Sequence, residues 1–225
     1  MTGHAERFSA ALAAMPLVAI LRGIRPEEAV AVATAIVDAG IGILEVPLNS
    51  PNPLDSVRRM LGAVGERAMV GVGTVYRPEE VDASADAGAM LIVSPNADPA
   101  VIGRAKRHGL VSLPGVFTPT EAMTALGAGA DGLKIFPAEL MPPAGVKALR
   151  AVLPPGTRVL MVGGIGPDSM AAYRAAGADG FGIGSALYAP GRSAAEVGEK
   201  ARAFVAAAFS SSPLPWGEAA PEGGG

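Results

Sequence analysis

The chain of 225 residues is 50% hydrophobic and 17% charged, a length and apolar content that fit one large α/β domain as well as two small ones. Its formal net charge of −3 excludes the basic field that attracts nucleic acid or an anionic membrane, so we expect a small-molecule partner. With no cysteine and only two histidines, disulfides, thiolate catalysis, cysteine-ligated metals and histidine-rich metal sites are excluded as well.

The two ends of the chain bear on the location of the protein and on the limits of its domain. The apolar run near the start is broken by Pro16 and leads directly into a predicted strand, which a secretory signal would not do. We find no uncharged apolar segment of the roughly 20 residues that span a bilayer, so we expect a cytoplasmic protein without a membrane partner. Residues 210–225 are rich in Pro, Gly and Ser and are predicted to be a disordered tail behind a domain at 1–209.

One strand and helix unit recurs along the chain. Its mark is an Ala-rich helical end, then Ala-Gly, then a short apolar strand, as in IVDAGIGILEVPL, SADAGAMLIVSP, LGAGADGLKIFP and YRAAGADGFGIGS. The glycine suits the left-handed residue that ends a helix. Arg-Pro-Glu-Glu at 25–28 and again at 77–80 predicts a helix start, with proline in the first turn and acids that favour the helix dipole.

Eight short strands are predicted, and helical segments separate them. They are Leu17–Leu21, Gly42–Val46, Met69–Val72, Met90–Val93, Leu110–Ser112, Gly132–Phe136, Arg158–Val162 and Gly180–Ile183. Apolar residues on both faces indicate a parallel sheet covered by helices. We therefore predict a single-domain (β/α)8 TIM barrel with an N-terminal helix. The alternative is a doubly wound open sheet, which usually has fewer strands and a G-x-G-x-x-G motif after the first one, a motif that LRGIRPEE lacks.

Lys134 interrupts the apolar sixth strand. Because side chains alternate along a strand, Leu133 and Ile135 share one face while Lys134 lies on the other. If the Leu/Ile face meets the helices, Lys134 points into the barrel. The same alternation in the second strand places Glu45 inside too, so that two opposite charges occupy one small cavity.

This pair has two interpretations. It can be a buried ion pair that only fixes the fold, although such pairs seldom stabilise a protein relative to apolar replacements. The functional interpretation is that desolvation deprotonates Lys134 readily, so that its amine attacks a carbonyl to form a Schiff base. Glu45 would then move protons, as a carboxylate tuned by burial does.

Two other strand ends carry polar groups. Arg22, at the end of the first strand, is suited to hold a substrate carboxylate through its planar fork of donors. A solvated loop arginine is an equally good interpretation from the sequence alone. Thr74 in GVGTV offers a hydroxyl beside two glycines, which by itself is a weak signal.

Two glycine-rich loops are candidate phosphate sites. VGGIGPDSM contains Gly163, Gly164 and Gly166, and in GIGSAL we predict that Gly184 and Ser185 open a helix. Backbone N–H groups at glycines and helix N-termini bind anions, and the loops after strands seven and eight are the usual phosphate site of a (β/α)8 barrel. The alternative is that both loops are only tight turns.

Several motifs in order resemble one enzyme family. LRGI, LEVPLNSP, GVGTV, SPN, LPGVFTPTEA, LKIFPAE and VGGI occur between residues 8 and 207 in the order found in the 2-keto-3-deoxy-6-phosphogluconate and 2-keto-3-deoxy-6-phosphogalactonate aldolases, class I enzymes with a (β/α)8 fold. The resemblance implies that Lys134 is the Schiff-base lysine and Glu45 the general acid/base. It further implies substrate-binding roles for Arg22, Thr74, Pro114, Phe136, Val162, Gly163, Gly164, Gly184 and Ser185. Among these, Arg22 and Thr74 would bind the pyruvyl carboxylate, and the Pro114 carbonyl would support a catalytic water.

The resemblance also bears on the substrate. The gluconate branch tends to carry an arginine after the second strand and a threonine before the paired glycines, where this chain has Asn49 and Val162, as in the galactonate branch. The two substrates differ in the configuration of C4, and a missing hydrogen bond discriminates between them only weakly. The sequence Phe-Pro-Ala-Glu after Lys134 is more like the gluconate branch.

The implied reaction cleaves 2-dehydro-3-deoxy-6-phospho-D-galactonate, a phosphorylated keto-deoxy sugar acid, to pyruvate and D-glyceraldehyde 3-phosphate. It requires no cofactor and no metal, and family members are commonly homotrimers in the cytoplasm. Two alternatives stay open at this point. One is an aldolase for the gluconate epimer or for 4-hydroxy-2-oxoglutarate, and the other is a phosphosugar-binding barrel without catalysis.

Overall fold

Strands and helices alternate along residues 3–209, the part of the chain that this computed structural model describes. The strands are β1 (Leu17–Ile20), β2 (Ile43–Pro47), β3 (Met69–Gly73), β4 (Leu91–Val93), β5 (Val111–Leu113), β6 (Gly115–Val116), β7 (Leu133–Ile135), β8 (Val159–Val162) and β9 (Gly180–Ile183). The helices are α1 (His4–Ala14), α2 (Pro26–Asp38), α3 (Pro53–Val64), α4 (Pro78–Asp86), α5 (Pro99–Arg107), α6 (Pro119–Gly127), α7 (Pro143–Arg150), α8 (Pro167–Ala175) and α9 (Ala194–Phe209), with a 3-10 turn at Ala138–Leu140. The predicted disordered tail lies outside the described residues.

The strands form a nearly closed parallel barrel in the order β5-β4-β3-β2-β1-β9-β8-β7-β6. This order confirms the predicted (β/α)8 barrel. One prediction was wrong: the fifth strand is not a single segment at Leu110–Ser112 but is split into β5 and β6 around Pro114. Proline has no N–H to donate to a neighbouring strand, so regular pairing stops there. β5 pairs with β4 and β6 with β7, so the barrel continues across the split.

The side chains of the strands separate into an inner and an outer layer. Leu44, Val46, Leu133 and Ile135 belong to the large cluster that also contains the buried helix residues. A second buried cluster fills the barrel; it consists of Phe8, Leu12, Val18, Ile43, Met69, Leu91, Val93, Val111, Leu113 and Leu160. Two of its members come from α1, so the N-terminal helix supplies apolar side chains to the barrel interior. The helix predicted before the first strand therefore completes the core.

The helix boundaries follow the predicted signals. Pro26 begins α2, and the Arg25 N–H donates to Glu28 Oε1 at 3.1 Å, which satisfies a backbone donor at the helix start. The glycines of the four Ala-Gly steps all have positive φ, between 87° and 107°, as a left-handed helix end requires. Across residues 3–209, no helix is both long and apolar enough to cross a membrane.

Two aspartates that precede strands tie the N-terminal end of the barrel together. Asp131 Oδ2 accepts the Ser112 N–H at 2.8 Å and the Lys106 ammonium at 2.6 Å. Asp179 Oδ2 likewise accepts the Val159 N–H at 2.7 Å and pairs with Arg150. Each carboxylate joins a strand start to the preceding helix. The polar loops that carry the candidate site lie at the opposite, C-terminal end of the barrel.

Candidate active site

Lys134 and Glu45 lie in one cavity at the C-terminal end of the barrel. Lys134 reaches it from the middle of β7 and Glu45 from the middle of β2, and the walls between them are apolar. Lys134 is 7% exposed and Glu45 is 2% exposed. The structure therefore confirms the inward orientation predicted from strand alternation. The free space at this depth is about 10 Å³, which leaves room for about one water molecule.

The Glu45 carboxylate is held where water and hydrogen-bond donors hardly reach it. Its Oε2 is buried and has no hydrogen-bond partner among the described residues. Burial disfavours the charged form and raises the pKa of Glu45 to about 7, against the opposing effects of the Lys134 and Arg22 charges. Near neutral pH both protonation states are therefore populated. Such a carboxyl group is suited to both accept and return a proton.

The Lys134 amine is pushed toward its neutral form. Burial lowers the pKa of Lys134, the Glu45 carboxylate opposes this, and the Arg22 charge lowers it further. Its Nζ lies 4.7 Å from the centre of the ring of Phe136, a residue that is 39% exposed. The Phe136 ring therefore lies beside the lysine side chain. A lysine with a lowered pKa is a better nucleophile at neutral pH.

Arg22 is held over the mouth by two neighbouring loops. One of its terminal nitrogens donates to Asn49 Oδ1 at 2.6 Å and the other to Thr74 Oγ1 at 3.4 Å. Thr74 itself has a φ of 60°, a left-handed conformation that is uncommon outside glycine. The structure therefore brings Arg22 and Thr74 together. This contact favours the clamp interpretation over a freely solvated arginine.

Pro114 and Val162 flank the lysine from the neighbouring strands. The Pro114 carbonyl accepts the Lys134 N–H at 2.9 Å, and its second lone pair is left for another donor. Val162 is 8% exposed at the end of β8 and lines the cavity together with Gly182. Pro114 therefore contacts the backbone of Lys134, and Val162 lines the cavity that the Lys134 side chain enters.

The paired glycines after β8 form a turn against an acidic side chain. Gly163 and Gly164 have φ values of 107° and 65°, which glycine adopts without strain. A Cβ on Gly164 would come 2.6 Å from Glu139 Oε2, so this carboxylate packs on the loop. A phosphate bound there would be repelled unless the exposed Glu139 side chain turned away. The two glycines thus form a tight turn, and the Gly166 N–H just before α8 donates to Ser169 Oγ at 3.1 Å.

The loop after β9 differs from its prediction. Ser185 does not open a helix: the N–H groups of Leu187 and Tyr188 both donate to the Gly184 carbonyl at 2.9 Å, which makes a single turn, and α9 begins only at Ala194. Gly191, with a φ of 91°, lies in the segment between them, where helix cannot continue. The Arg192 side chain donates to the Ser185 carbonyl at 2.8 Å and anchors this turn.

Comparison with known proteins shows the family of this chain. A family model described as "Aldolase: KDPG and KHG aldolase" matches residues 8–198. The chain belongs to the KDPG and KHG aldolase family. The 2-dehydro-3-deoxy-6-phosphogalactonate aldolase of Escherichia coli K12 is 48% identical over 193 residues, which cover 86% of this chain and 94% of that protein. The KHG/KDPG aldolase of the same organism is 34% identical over 162 residues, covering 71% of this chain and 75% of that one.

Solved aldolase structures share the fold. One described as native KDPGal superposes with a TM-score of 0.85 at 48% identity and covers 86% of this chain and 94% of that chain. The KDPG aldolase of Legionella pneumophila, with pyruvate captured as a covalent carbinolamine, gives a TM-score of 0.76 at 25% identity, covering 91% and 98%. The barrel of this chain is thus the fold of the KDPG and KHG aldolase family.

Sequence reasoning missed two features of the site. Asn49 was considered only as a marker of the galactonate branch, although it accepts a hydrogen bond from Arg22. The signal was available, because the two residues follow neighbouring strands whose ends meet in a barrel. Gly73 was not singled out at all, yet a Cβ there would lie 1.7 Å from Glu45 Oε2. Only the packed structure shows how close the two come.

Proposed function

We propose that this chain is a class I aldolase that cleaves 2-dehydro-3-deoxy-6-phospho-D-galactonate to pyruvate and D-glyceraldehyde 3-phosphate. The observation that carries the proposal is a buried lysine with a lowered pKa beside a carboxyl group whose pKa is raised to about 7. Membership of the KDPG and KHG aldolase family supports the same chemistry. The 48% identity to the Escherichia coli enzyme named for the galactonate epimer supports the substrate.

The first half of the reaction builds an electron sink. The substrate carboxylate binds Arg22 and Thr74, which brings the C2 ketone over Lys134. The neutral amine attacks C2 to form a carbinolamine, and Glu45 in its protonated form, directly or through water, donates the proton with which the C2 hydroxyl leaves as water. The product is an iminium that links C2 to Nζ.

The second half breaks the carbon chain. A carboxylate at Glu45, again directly or through water, removes the C4 hydroxyl proton, and the electrons of the C3–C4 bond move into the iminium. D-glyceraldehyde 3-phosphate leaves, and the remaining enamine is protonated at C3. Water then hydrolyses the new iminium, which releases pyruvate and restores the Lys134 amine. The loops at Gly163–Gly164 and Gly184–Ser185 hold the phosphate through backbone N–H groups.

The proposal extends to assembly and location. We place the enzyme in the cytoplasm as a homotrimer, following the family resemblance described above, and we propose from its substrate that it serves galactonate degradation. Sedimentation equilibrium of the full chain tests the assembly: a mass of three chains supports it, and a monomer at micromolar concentration contradicts it.

Turnover with three substrates tests the reaction. Pyruvate release is followed through lactate dehydrogenase with the galactonate epimer, the gluconate epimer and 4-hydroxy-2-oxoglutarate, at equal enzyme concentration. The proposal expects the highest kcat/KM with the galactonate epimer. A higher value with either of the others would assign the chain to that reaction, and of the two alternatives the Phe-Pro-Ala-Glu segment favours the gluconate epimer. Tight binding without release of pyruvate would support the binding barrel.

A further inference from the structure

Gly73 lies against the Glu45 carboxylate in a way that no other residue allows. An ideal Cβ on Gly73 would fall 1.7 Å from Glu45 Oε2, 2.4 Å from its Cδ and 2.6 Å from its Oε1. Contacts below 3.0 Å are essentially never made by a real Cβ. The carboxylate therefore rests directly on the backbone of β3, in the space that a side chain would fill.

The strands themselves cannot yield this space. Pro47 of β2 lies in register with Gly73 of β3, and the Leu48 N–H donates to the Gly73 carbonyl at 2.8 Å. This pairing fixes the distance between the two backbones. A side chain at position 73 would therefore displace Glu45 and leave the strands in place. The φ of Gly73 is outside the left-handed region, so the backbone itself accepts alanine.

We propose that Gly73 is a positioning residue for catalysis: the gap left by its missing side chain holds the Glu45 carboxylate on β3. This inference rests on the proposed function, in which Glu45 moves protons. Because Glu45 Oε2 is left without a hydrogen-bond partner among the described residues, it is free to bond a reacting group. Arg22 and Lys134 are the charged groups that act on this carboxylate.

The geometry also explains why the lysine stays reactive. If the Glu45 carboxylate were displaced from β3, it would move into the cavity that it shares with Lys134. A direct ion pair there would stabilise the ammonium form of Lys134 and would withdraw its nucleophilic lone pair. Gly73 thus keeps Glu45 near enough to exchange protons with the substrate while Lys134 can still lose its proton.

Four proteins test this role: the wild type, Gly73→Ala, Glu45→Ala and the double variant. The readouts are the thermal midpoint and the rate at which borohydride traps pyruvate on Lys134 between pH 5 and 9. We expect Gly73→Ala to trap at least tenfold more slowly at pH 7 and to need a higher pH for its half-maximal rate. In the Glu45→Ala background, Gly73→Ala should change the trapping rate by less than about twofold and the thermal midpoint by less than about one degree. The reason is that the new Cβ no longer meets a carboxylate.

Gly71→Ala is the matched control on the same strand and face. A Cβ there would meet Leu91 at 2.4 Å, so its loss of stability should persist in the Glu45→Ala background. Equal losses from Gly73→Ala in both backgrounds would overturn the inference, as would wild-type trapping by Gly73→Ala. If Gly73→Ala fails to fold, a folded double variant supports the inference and an unfolded one overturns it. Absence of trapping in the wild type would instead contradict the proposed function, and the thermal midpoints would still test the contact.

Discussion

Glu45 and Lys134 line the same buried cavity from β2 and β7, yet no ion pair joins them in the part of the chain that the structure describes. Each still acts on the charge of the other: Lys134 favours the carboxylate of Glu45, and Glu45 favours the ammonium of Lys134. Burial outweighs both effects. The site therefore holds a carboxyl group whose pKa is raised to about 7 and a lysine whose pKa is lowered, an arrangement that favours proton exchange during catalysis.

Replacing Glu45 by glutamine should change the pH profile as well as the rate. The pKa of Glu45 is raised to about 7, and the first half of the proposed reaction uses its protonated form, so kcat/KM of the wild type should fall as pH rises through 7. In Glu45→Gln the pH dependence of kcat/KM near pH 7 should disappear, and kcat should fall by roughly 10²- to 10⁴-fold. Any remaining ionisation of Lys134 should lie at lower pH, since the carboxylate that favours its ammonium form is gone. Stopped-flow pH profiles measure this, and an unchanged limb near pH 7 would assign it to another group.

Replacing Arg22 by methionine should weaken binding and raise the working pH. The guanidinium is positioned by Asn49 and Thr74, and loss of a charge-assisted hydrogen bond to a carboxylate should raise KM about 10- to 100-fold. The Arg22 charge also lowers the pKa of Lys134, so Arg22→Met should raise that pKa. The rate at which Lys134 is trapped with pyruvate should then reach its half-maximum at a higher pH than in the wild type. Arg59→Met, which removes an exposed arginine of α3, is the control. Equal KM values for both variants would show that Arg22 is a solvated loop arginine and does not bind the substrate carboxylate.

Val162→Thr should shift the preference between epimers. Val162 lines the cavity at the end of β8, and a hydroxyl there can bond a substrate oxygen. We expect the ratio of kcat/KM values to move about tenfold toward the gluconate epimer, the equivalent of one neutral hydrogen bond. Val162→Ala, which adds no donor, should slow both substrates and leave the ratio within about twofold. A ratio that does not move in the threonine variant would show that position 162 does not select the epimer.

Asp131→Ala should lower stability without affecting catalysis. Asp131 accepts from Ser112 and Lys106 at the N-terminal end of the barrel, opposite the site. The Ser112 N–H would lose its partner in a half-buried place, so the free energy of unfolding should fall by about 1–3 kcal/mol, measured with urea. Asp55→Ala, which removes an exposed pair with Arg59, should change it by less than about 1 kcal/mol. Equal effects of both variants, or a lower kcat for Asp131→Ala, would contradict this division of roles.

The architecture could be read from the sequence because its signals are local. Alternation within β2 and β7 was enough to place Glu45 and Lys134 inside, and Ala-Gly steps marked helix ends. The split of the fifth strand was signalled by Pro114, which a strand between two neighbours cannot contain without a break. The wrong helix at Ser185 came from treating glycine and serine as a helix start without weighing Pro190 and Gly191, which end the turn.

The contacts across strands were beyond the sequence. Whether Gly73 touches Glu45, or Asn49 holds Arg22, depends on strand register and side-chain rotamers that single residues do not specify. The same is true of Glu139, which packs on Gly164 from a different loop. These contacts tune the site, whereas the strands and their order only place it.

The central claim is that Lys134 forms a Schiff base, and trapping tests it most directly. The full chain is incubated with pyruvate and sodium borohydride, digested and analysed by peptide mass spectrometry, with Lys134→Met and the surface variant Lys147→Met as controls. We predict a reduced pyruvyl adduct on the Lys134 peptide of the wild type and of Lys147→Met, and none in Lys134→Met. A folded wild type without an adduct, or with the adduct on another lysine, would contradict the account.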